Sequence, residues 1–465
     1  MLKKLIEIIL DAGEELFKKE EVWIILFIAG FAGIFFFLPL GIENAFMKFI
    51  ELTWWFWLFL FVIKNFLSIW LFWRREIFQA DTKYIVYEIR IPRETEKGPQ
   101  AMEQVLASLH SLRNTADDPK EIYWDGEVTR YMSLEIISFG GEVHFYFRGY
   151  EKAKTLLEAA FFAHYPEIEL VKSEDYMKHL PQTTKEIYEA GNEMWGSDMI
   201  LKKDPVYPIK TYQHFLDDPG EEKRVDPMGN FLEVFGKIKQ NEIAGVQILI
   251  CPASADWVEP AQKIIDKFKE DTAKRQIITP EGEAKTSISI RSPGETEKLT
   301  EMENNIGKVA FNTVIRFLYI APQEGFYDSY ARRGIRGAFN QYSDAGRNGF
   351  ILNEPMSTRA KLWAFPYIFP KTRVQFRKQR LLMNYFTREM PKDTFWGKLL
   401  TSHFFNQNFM MKTSILNTEA IASLFHPPTI LVMTAPHLRR VESRRAGAQS
   451  GLPIFGDEED IAKYQ

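Results

Sequence analysis

Two long apolar runs dominate the start of the hydrophobic pattern. Residues 22–40 (VWIILFIAGFAGIFFFLPL) and 52–73 (LTWWFWLFLFVIKNFLSIWLFW) are nearly continuous, the second interrupted only by Lys64 and Asn65. Each approaches the roughly 20 residues that cross a hydrocarbon core. Trp54, Trp55 and Trp57 crowd one end of the second run and Trp70 and Trp73 the other, as interfacial tryptophans do. Ahead of both, Leu2, Leu5, Ile6, Ile9 and Leu10 recur at helical spacing, which predicts an amphipathic helix over 1–21 lying on the inner membrane surface. Lys3, Lys4, Lys18 and Lys19 precede the first run, Arg74 and Arg75 close the second, and the 41–51 connector carries Lys48 between acids. The positive-inside rule then predicts a two-span hairpin over 22–79, with spans at 22–40 and 52–73 and both ends cytoplasmic. Lys64 reads as a snorkelling side chain.

After residue 80 the period changes. Residues 83–91 (KYIVYEIRI) alternate as a half-buried strand does, and Gly98-Pro99 opens a helix with Met102, Val105, Leu106 and Leu109 on one face. Residues 131–139 and 142–147 read as strands joined by a Gly140-Gly141 turn, 151–164 as a helix and 168–171 as a closing strand. Strand, helix, strand, strand, helix, strand is the ferredoxin-like βαββαβ order. A first such domain is predicted over 80–180. A second, over 205–355, is predicted from a strand at 209–215, a helix at 226–239, an apolar strand at 246–251, a strand at 310–320, a helix from Pro322 to about 342 and a short strand at 350–352. An insertion at 257–305 interrupts it. The fold class is thus α+β: a membrane hairpin, tandem ferredoxin-like domains, and a helical and extended C-terminal region over 356–465.

Composition narrows the chemistry. Lys plus Arg is 58 and Asp plus Glu 62, for a net charge of −4, which excludes a globally basic nucleic-acid coat. Cys251 is the only cysteine, so a disulfide framework and a cysteine-held zinc or iron–sulfur site are excluded. A phosphate-cradling loop needs glycines upstream of Gly-Lys-Ser/Thr, whereas Gly236-Lys237, Gly307-Lys308 and Gly397-Lys398 are followed by Ile, Val and Leu. No G-x-S-x-G elbow occurs, and the eight histidines form no zinc-binding helix pair. His426, ahead of Pro427-Pro428, reads as a helix-end residue rather than a base. No cofactor, metal or catalytic residue is expected.

The C-terminal region carries its own signals. Residues 371–380 (KTRVQFRKQR) hold Lys371, Arg373, Arg377, Lys378 and Arg380 with no acid, on a helix that continues through 386. These cations are candidates for contact with nucleic-acid phosphates or anionic lipid. A solvated face balanced by acids elsewhere explains them as well, and the negative total charge favours it. A second basic group, Arg439, Arg440, Arg444 and Arg445, favours a contact surface. Asn417 or Thr418 can cap a short helix through Phe425, Pro427-Pro428 ends it, and 430–433 is a short apolar run containing Val432.

Several segments together resemble a known family. IPRETEKGPQAMEQVLASLHSL (91–112), YMSLEIISFGGEVHFYF (131–147), LLEAAFFAHYPEIELV (156–171), RGIRGAFNQY (333–342) and, above all, ILNTEAIASLFHPPTILVMTAPHLRRVESRRAGAQSGLPI (415–454) resemble the region in front of the motor domain in membrane-anchored bacterial ATPases of the conjugative DNA-transfer, type IV secretion class. In that class a stretch like 415–454 leads into the core strand and P-loop, whereas this sequence ends at Gln465 with no such motif. The resemblance implies a non-enzymatic inner-membrane anchor or scaffold that seats or regulates a separate DNA-translocating P-loop ATPase. It also implies docking through Asn417, Thr418, Phe425, Val432, Arg439 and Arg440. The membrane bilayer is then a second partner, a homo-oligomer is compatible, and DNA contact is expected to be weak. The rival expectation is a membrane-tethered nucleic-acid-binding module acting through the 371–380 helix.

Overall fold

The computed structural model describes residues 40–429, apart from 93–94, 96, 217–225, 279–283, 289–290, 359–368 and 403–407. The amphipathic helix expected over 1–21 and nearly all of the first span fall outside the described residues. The second span lies within helix α1 (Leu40–Ala80). The 41–51 stretch, expected as a connector, is helical and part of α1. Residues 42–79 contain neither proline nor glycine, so nothing interrupts the helix there. Its apolar stretch is long enough to cross a membrane, and its central window is not buried against the rest of the protein. Trp54, Trp55, Phe59 and Phe66 are all exposed.

α1 leads through a three-residue link into strand β1 (Tyr84–Arg90), and the chain then builds an antiparallel sheet. Helix α2 (Pro99–His110) buries Met102, Val105, Leu106 and Leu109, the face that the spacing predicts. Strands β2 (Met132–Phe139) and β3 (Glu142–Tyr150) pair across Gly140 and Gly141, both at positive φ as the turn demands. Helix α3 (Lys154–His164) and strand β4 (Glu169–Ser173) follow.

The next strand departs from expectation. Residues 209–215, expected as a strand, form irregular backbone that ends in the short helix α5 (Gln213–Leu216). The strand is instead β5 (Asn192–Leu201), entered from helix α4 (Thr184–Glu189). Its sequence, NEMWGSDMIL, has weak strand propensity, with Asn192, Gly196 and Asp198 all disfavoured. Tertiary pairing overrides this, since β5 aligns on strand β9 (Ala310–Pro322) from Asn192↔Pro322 to Met199↔Ile315. Helix α6 (Met228–Gly236) and strand β6 (Ile243–Pro252) come next. The 257–305 insertion is helix α7 (Val258–Ala273), a separate hairpin of β7 (Lys274–Ile278) and β8 (Ala284–Ile288), and helix α8 (Pro293–Ile306), whose Ser292–Glu295 capping box marks its start. The helix expected from Pro322 begins later, as α9 (Tyr330–Asn340), because β9 runs on to Pro322. Strand β10 (Phe350–Leu352) closes this part.

The main sheet has the order β10-β5-β9-β6-β2-β3-β1-β4, and β2 and β6 join its two halves in register from Met132↔Ile250 to Phe139↔Ile243. One face packs against α2, α3, α6 and α9, with Phe147, Phe161, Phe231, Phe235 and Phe339 fully buried in that core. The C-terminal region is woven into the same body. Helix α10 (Pro370–Thr387) covers the opposite face through Leu381, Leu382 and Tyr385. Helix α11 (Phe395–Leu400) returns to α1, strand β11 (Ser414–Asn417) pairs with the start of β9, and helix α12 (Thr418–Leu424) packs beside α2.

Candidate functional site

A polar row crosses the centre of the sheet. Asp198 on β5 stands opposite Arg316 on β9, Arg316 opposite Gln247 on β6, and Gln247 opposite Glu135 on β2. Cross-strand partners share a face, so the four side chains point together toward α10. All four are fully buried. Arg316 Nε donates to Asp198 Oδ1 at 2.8 Å, and its other nitrogens reach the carbonyls of Asn384 at 2.6 Å and Glu389 at 3.2 Å. At the other end, Arg388 donates to both oxygens of Glu135 at 2.6 and 3.0 Å and to both of Asp175 at 2.7 and 3.0 Å. Burial alone would raise the carboxyls of Glu135 and Asp175, but the Arg388 guanidinium outweighs it and holds both below the usual range. Arg388 itself, just past the end of α10, sits at a φ of 53°. A side chain in that region costs about 1 kcal/mol or more, which the two bidentate pairs offset. The row ties β2, β5, β6 and β9 to the end of α10 and to Asp175.

The basic helix does not present the surface expected of it. Arg373, Arg377 and Lys378 are buried. Lys378 Nζ sits 2.6 Å from Glu193 and 2.8 Å from the Tyr188 hydroxyl, and Arg377 reaches toward the carbonyls of Glu354 and Ser357. Arg380 is half-buried, and with the Asn408 amide turned so that its oxygen accepts, it donates there at 2.6 and 3.0 Å. Of the five, Lys371 alone is exposed. Arg377 and Lys378 are part of neither a phosphate surface nor a solvated face, because their partners approach from α4, β5 and the 354–357 turn.

The expected docking residues divide in the same way. Asn417 caps α12, its side chain accepting from the Ala420 amide at 2.8 Å, as the sequence predicts. Yet Asn417, Thr418 and Phe425 are buried inside the body, so none of them faces a partner. Val432, Arg439 and Arg440 lie outside the described residues. His426 is a helix-end residue: Nδ1 is 2.7 Å from the Ala422 carbonyl and Nε2 is 2.9 Å from Asp226 Oδ1. Asp226 also accepts from the amide and hydroxyl of Thr429 and from the Met228 amide. Burial would push its carboxyl up, but His426 and these donors bring it down to about 2. Pairs so distant in sequence leave no local signature.

The surface feature nearest to a site lies where α1 meets the body. A cleft of about 550 Å³ opens there, lined among others by Arg75, Arg113, Asn114, Thr129, Cys251 and Asp393. Burial pushes the Cys251 thiol up to about 12, so it stays protonated and is no activated nucleophile. Among the described residues no group of His, Cys, Asp and Glu could hold a metal ion. What the region does have is a brace on α1. Trp70 Nε1 donates to the Tyr123 carbonyl at 2.6 Å, Trp396 Nε1 to Asn65 Oδ1 at 2.8 Å, and Lys392 to Glu76 at 2.6 Å, while Arg75 pairs with Asp393 at 3.2 Å. This brace mixes aromatic contacts from α11 and the turn Glu121–Asp125 with charged contacts from Lys392 and Asp393, just ahead of α11.

Two measurements check these assignments. A carboxyl depressed in the folded state contributes stability above its ordinary pKa and loses it as pH falls toward the folded value. Asp226 should therefore supply about 2 kcal/mol at pH 6 that fades between pH 4 and 2. In acid unfolding of the full chain, Asp226→Asn should be less stable than wild type at pH 6, and the gap should narrow as pH drops. On α10, Arg377→Glu should lower the melting temperature by several degrees, since it places an acid in a buried site shaped for a guanidinium, whereas Lys371→Glu should leave it nearly unchanged. Equal effects of the two substitutions would contradict the burial of the helix.

Comparison with known proteins places the chain. No curated protein matches it. A family model described as Domain of unknown function (DUF8128) matches residues 75–361, from the last turns of α1 to just past β10. That match covers more than half of the 465 residues, and the chain belongs to this family.

Proposed function

We propose that this chain is a non-enzymatic scaffold of a bacterial inner membrane, in which an N-terminal hairpin anchors a cytoplasmic pair of ferredoxin-like units. The observation that carries the reading is the coupling of α1 to the sheet: an apolar helix with exposed tryptophans and phenylalanines continues into β1 and is braced by α11 and the 121–125 turn. Such a connection fixes the orientation of the body relative to the bilayer. Two features support the tandem arrangement. Strands β4-β1-β3-β2 and β10-β5-β9-β6 each follow the neighbour order of a split βαβ unit, and each carries two helices on one face.

The partner in this proposal is a separate P-loop ATPase of the conjugation and type IV secretion class, supported by the resemblance of 91–112, 131–147 and 415–454. Because Ile415 to Thr429 is committed to the protein's own core, the docking role passes to the chain beyond Thr429. Nucleic acid is the weaker partner, since Arg377 and Lys378 of α10 are used internally.

Cross-linked purification of the full chain from its native membrane should recover a P-loop ATPase. Deleting residues 430–465 should abolish that recovery without changing the melting temperature of the remainder. Magnesium-dependent ATP hydrolysis by the purified chain itself, or recovery unaffected by the deletion, would contradict the proposal.

A further inference from the structure

The brace on α1 has an outward face that its internal contacts leave unused. In the turn Glu121–Asp125, Tyr123 is 44% exposed and Trp124 is 64% exposed. In α11, Leu399 and Leu400 are 44% and 59% exposed. Both elements sit directly against α1. The Trp124 ring lies 6.0 Å from that of Trp70, and Gly397 packs so closely on Phe72 that a Cβ there would collide with the ring. Asn65 and Trp70 mark the height along α1 at which these two elements are fastened.

That height determines what surrounds them. Lys48 and Glu51 are exposed charges that mark one end of the apolar part of α1, Arg74 and Arg75 mark the other, and Lys64 is the single charge between them. At 1.5 Å per residue, the stretch between Leu52 and Trp73 measures about 32 Å, close to the thickness of a hydrocarbon core. Sliding the span toward the N-terminus to clear Asn65–Trp73 would draw Glu51 and Lys48 into hydrocarbon at a cost of several kcal/mol. With the span set between Leu52 and Trp73, its midpoint falls near Val62 and Ile63, so Asn65 lies about 4 Å from the centre. Trp70 to Trp73 lie at the outer edge, and the turn fastened at Trp70 and the α11 backbone packed on Phe72 share that outer depth. Trp54 and Trp55 at one end and Trp70, Trp73 and Trp124 at the other then form two aromatic belts.

We propose that Tyr123, Trp124, Leu399 and Leu400 form a collar that inserts into the interfacial layer of the membrane around α1. The proposal rests on α1 being a membrane span. The occupant of this apolar face is phospholipid, because the face is continuous with the lipid-exposed side of α1 and ends at the level of Arg74 and Arg75, where headgroups lie. Apolar side chains at the interface and cations just beyond it form the pattern of a surface-inserting element. The collar would hold the sheet close to the bilayer and add to the brace on α1 in fixing its tilt.

The test uses the full chain in phospholipid vesicles, with Cys251→Ser as background and an environment-sensitive fluorophore on one introduced cysteine at a time. Trp124→Cys and Leu400→Cys report on the collar, Val62→Cys, exposed at the middle of the span, on α1, and Lys263→Cys on α7. Nitroxide lipids labelled near the headgroup should quench positions 124 and 400 roughly twofold, lipids labelled deep in the chain should quench position 62, and position 263 should respond to neither. Quenching at 62 with none at 124 and 400 would overturn the collar while leaving the anchor intact. A blue-shifted but unquenched probe at 400 would place a protein, such as a second copy, on this face and would equally overturn it. No quenching at 62 would instead remove the membrane span on which the proposal rests.

Discussion

Two buried guanidinium–carboxylate pairs hold this architecture together, Arg388 with Glu135 and Arg316 with Asp198. Both acids lie in sheet strands, one on each side of the β2–β6 seam. Arg316 also bonds the backbone at the end of α10, and Arg388 belongs to that end. The backbone pairing of β2 with β6 already joins the two halves of the sheet, and the two pairs tie both halves to the helix that covers them. Desolvating such charges costs several kcal/mol each, and the cost is met only while every partner stays in place. The row contributes more to specifying a single arrangement than to net stability. An apolar replacement would fill the space, but it would not say which strand lies against which.

Consequences run outward from the row. With α10 fixed, the chain after Arg388 turns back toward α1, where Lys392 and Asp393 reach its last turns and Trp396 reaches Asn65 farther up the helix. The same chain then returns to lay β11 beside β9 and to bury α12 against α2, where Asp226 and His426 close a second buried pair. A rotation of α1 relative to the sheet would break contacts on both sides of this path. The position of α1 is thus tied to a wide antiparallel sheet.

Local signals in the sequence were reliable wherever the physics is local. Gly140-Gly141 marks a hairpin because only glycine tolerates both positive φ values there, and the spacing of Met102, Val105, Leu106 and Leu109 identifies the buried face of α2. Asn417 as a cap is legible for the same reason. What stayed hidden depends on distant partners. β5 reads poorly as a strand because Asp198 belongs in water until Arg316, far along the chain, meets it. The 371–380 run reads as a cationic surface because Glu193, Tyr188 and the 354–357 carbonyls that enclose Arg377 and Lys378 leave no trace near it. A run of like charges signals a surface only when no buried acid awaits it. The brace between Asn65 and Trp396 had a faint signal in the polar break at Lys64-Asn65, which proved to be a hydrogen-bonding position on the helix.

The central claim, that the buried ionic row unites the halves of the sheet with α10, is tested most directly by a double-mutant cycle on Glu135 and Arg388. Denaturant unfolding of the full chain in detergent would be measured for wild type, Glu135→Gln, Arg388→Met and the double variant. The account predicts that each single change costs about 3 kcal/mol or more and that the double variant is far less destabilised than the sum, with a coupling of about 2 kcal/mol or more. Additive effects, with coupling below about 0.5 kcal/mol, would contradict it.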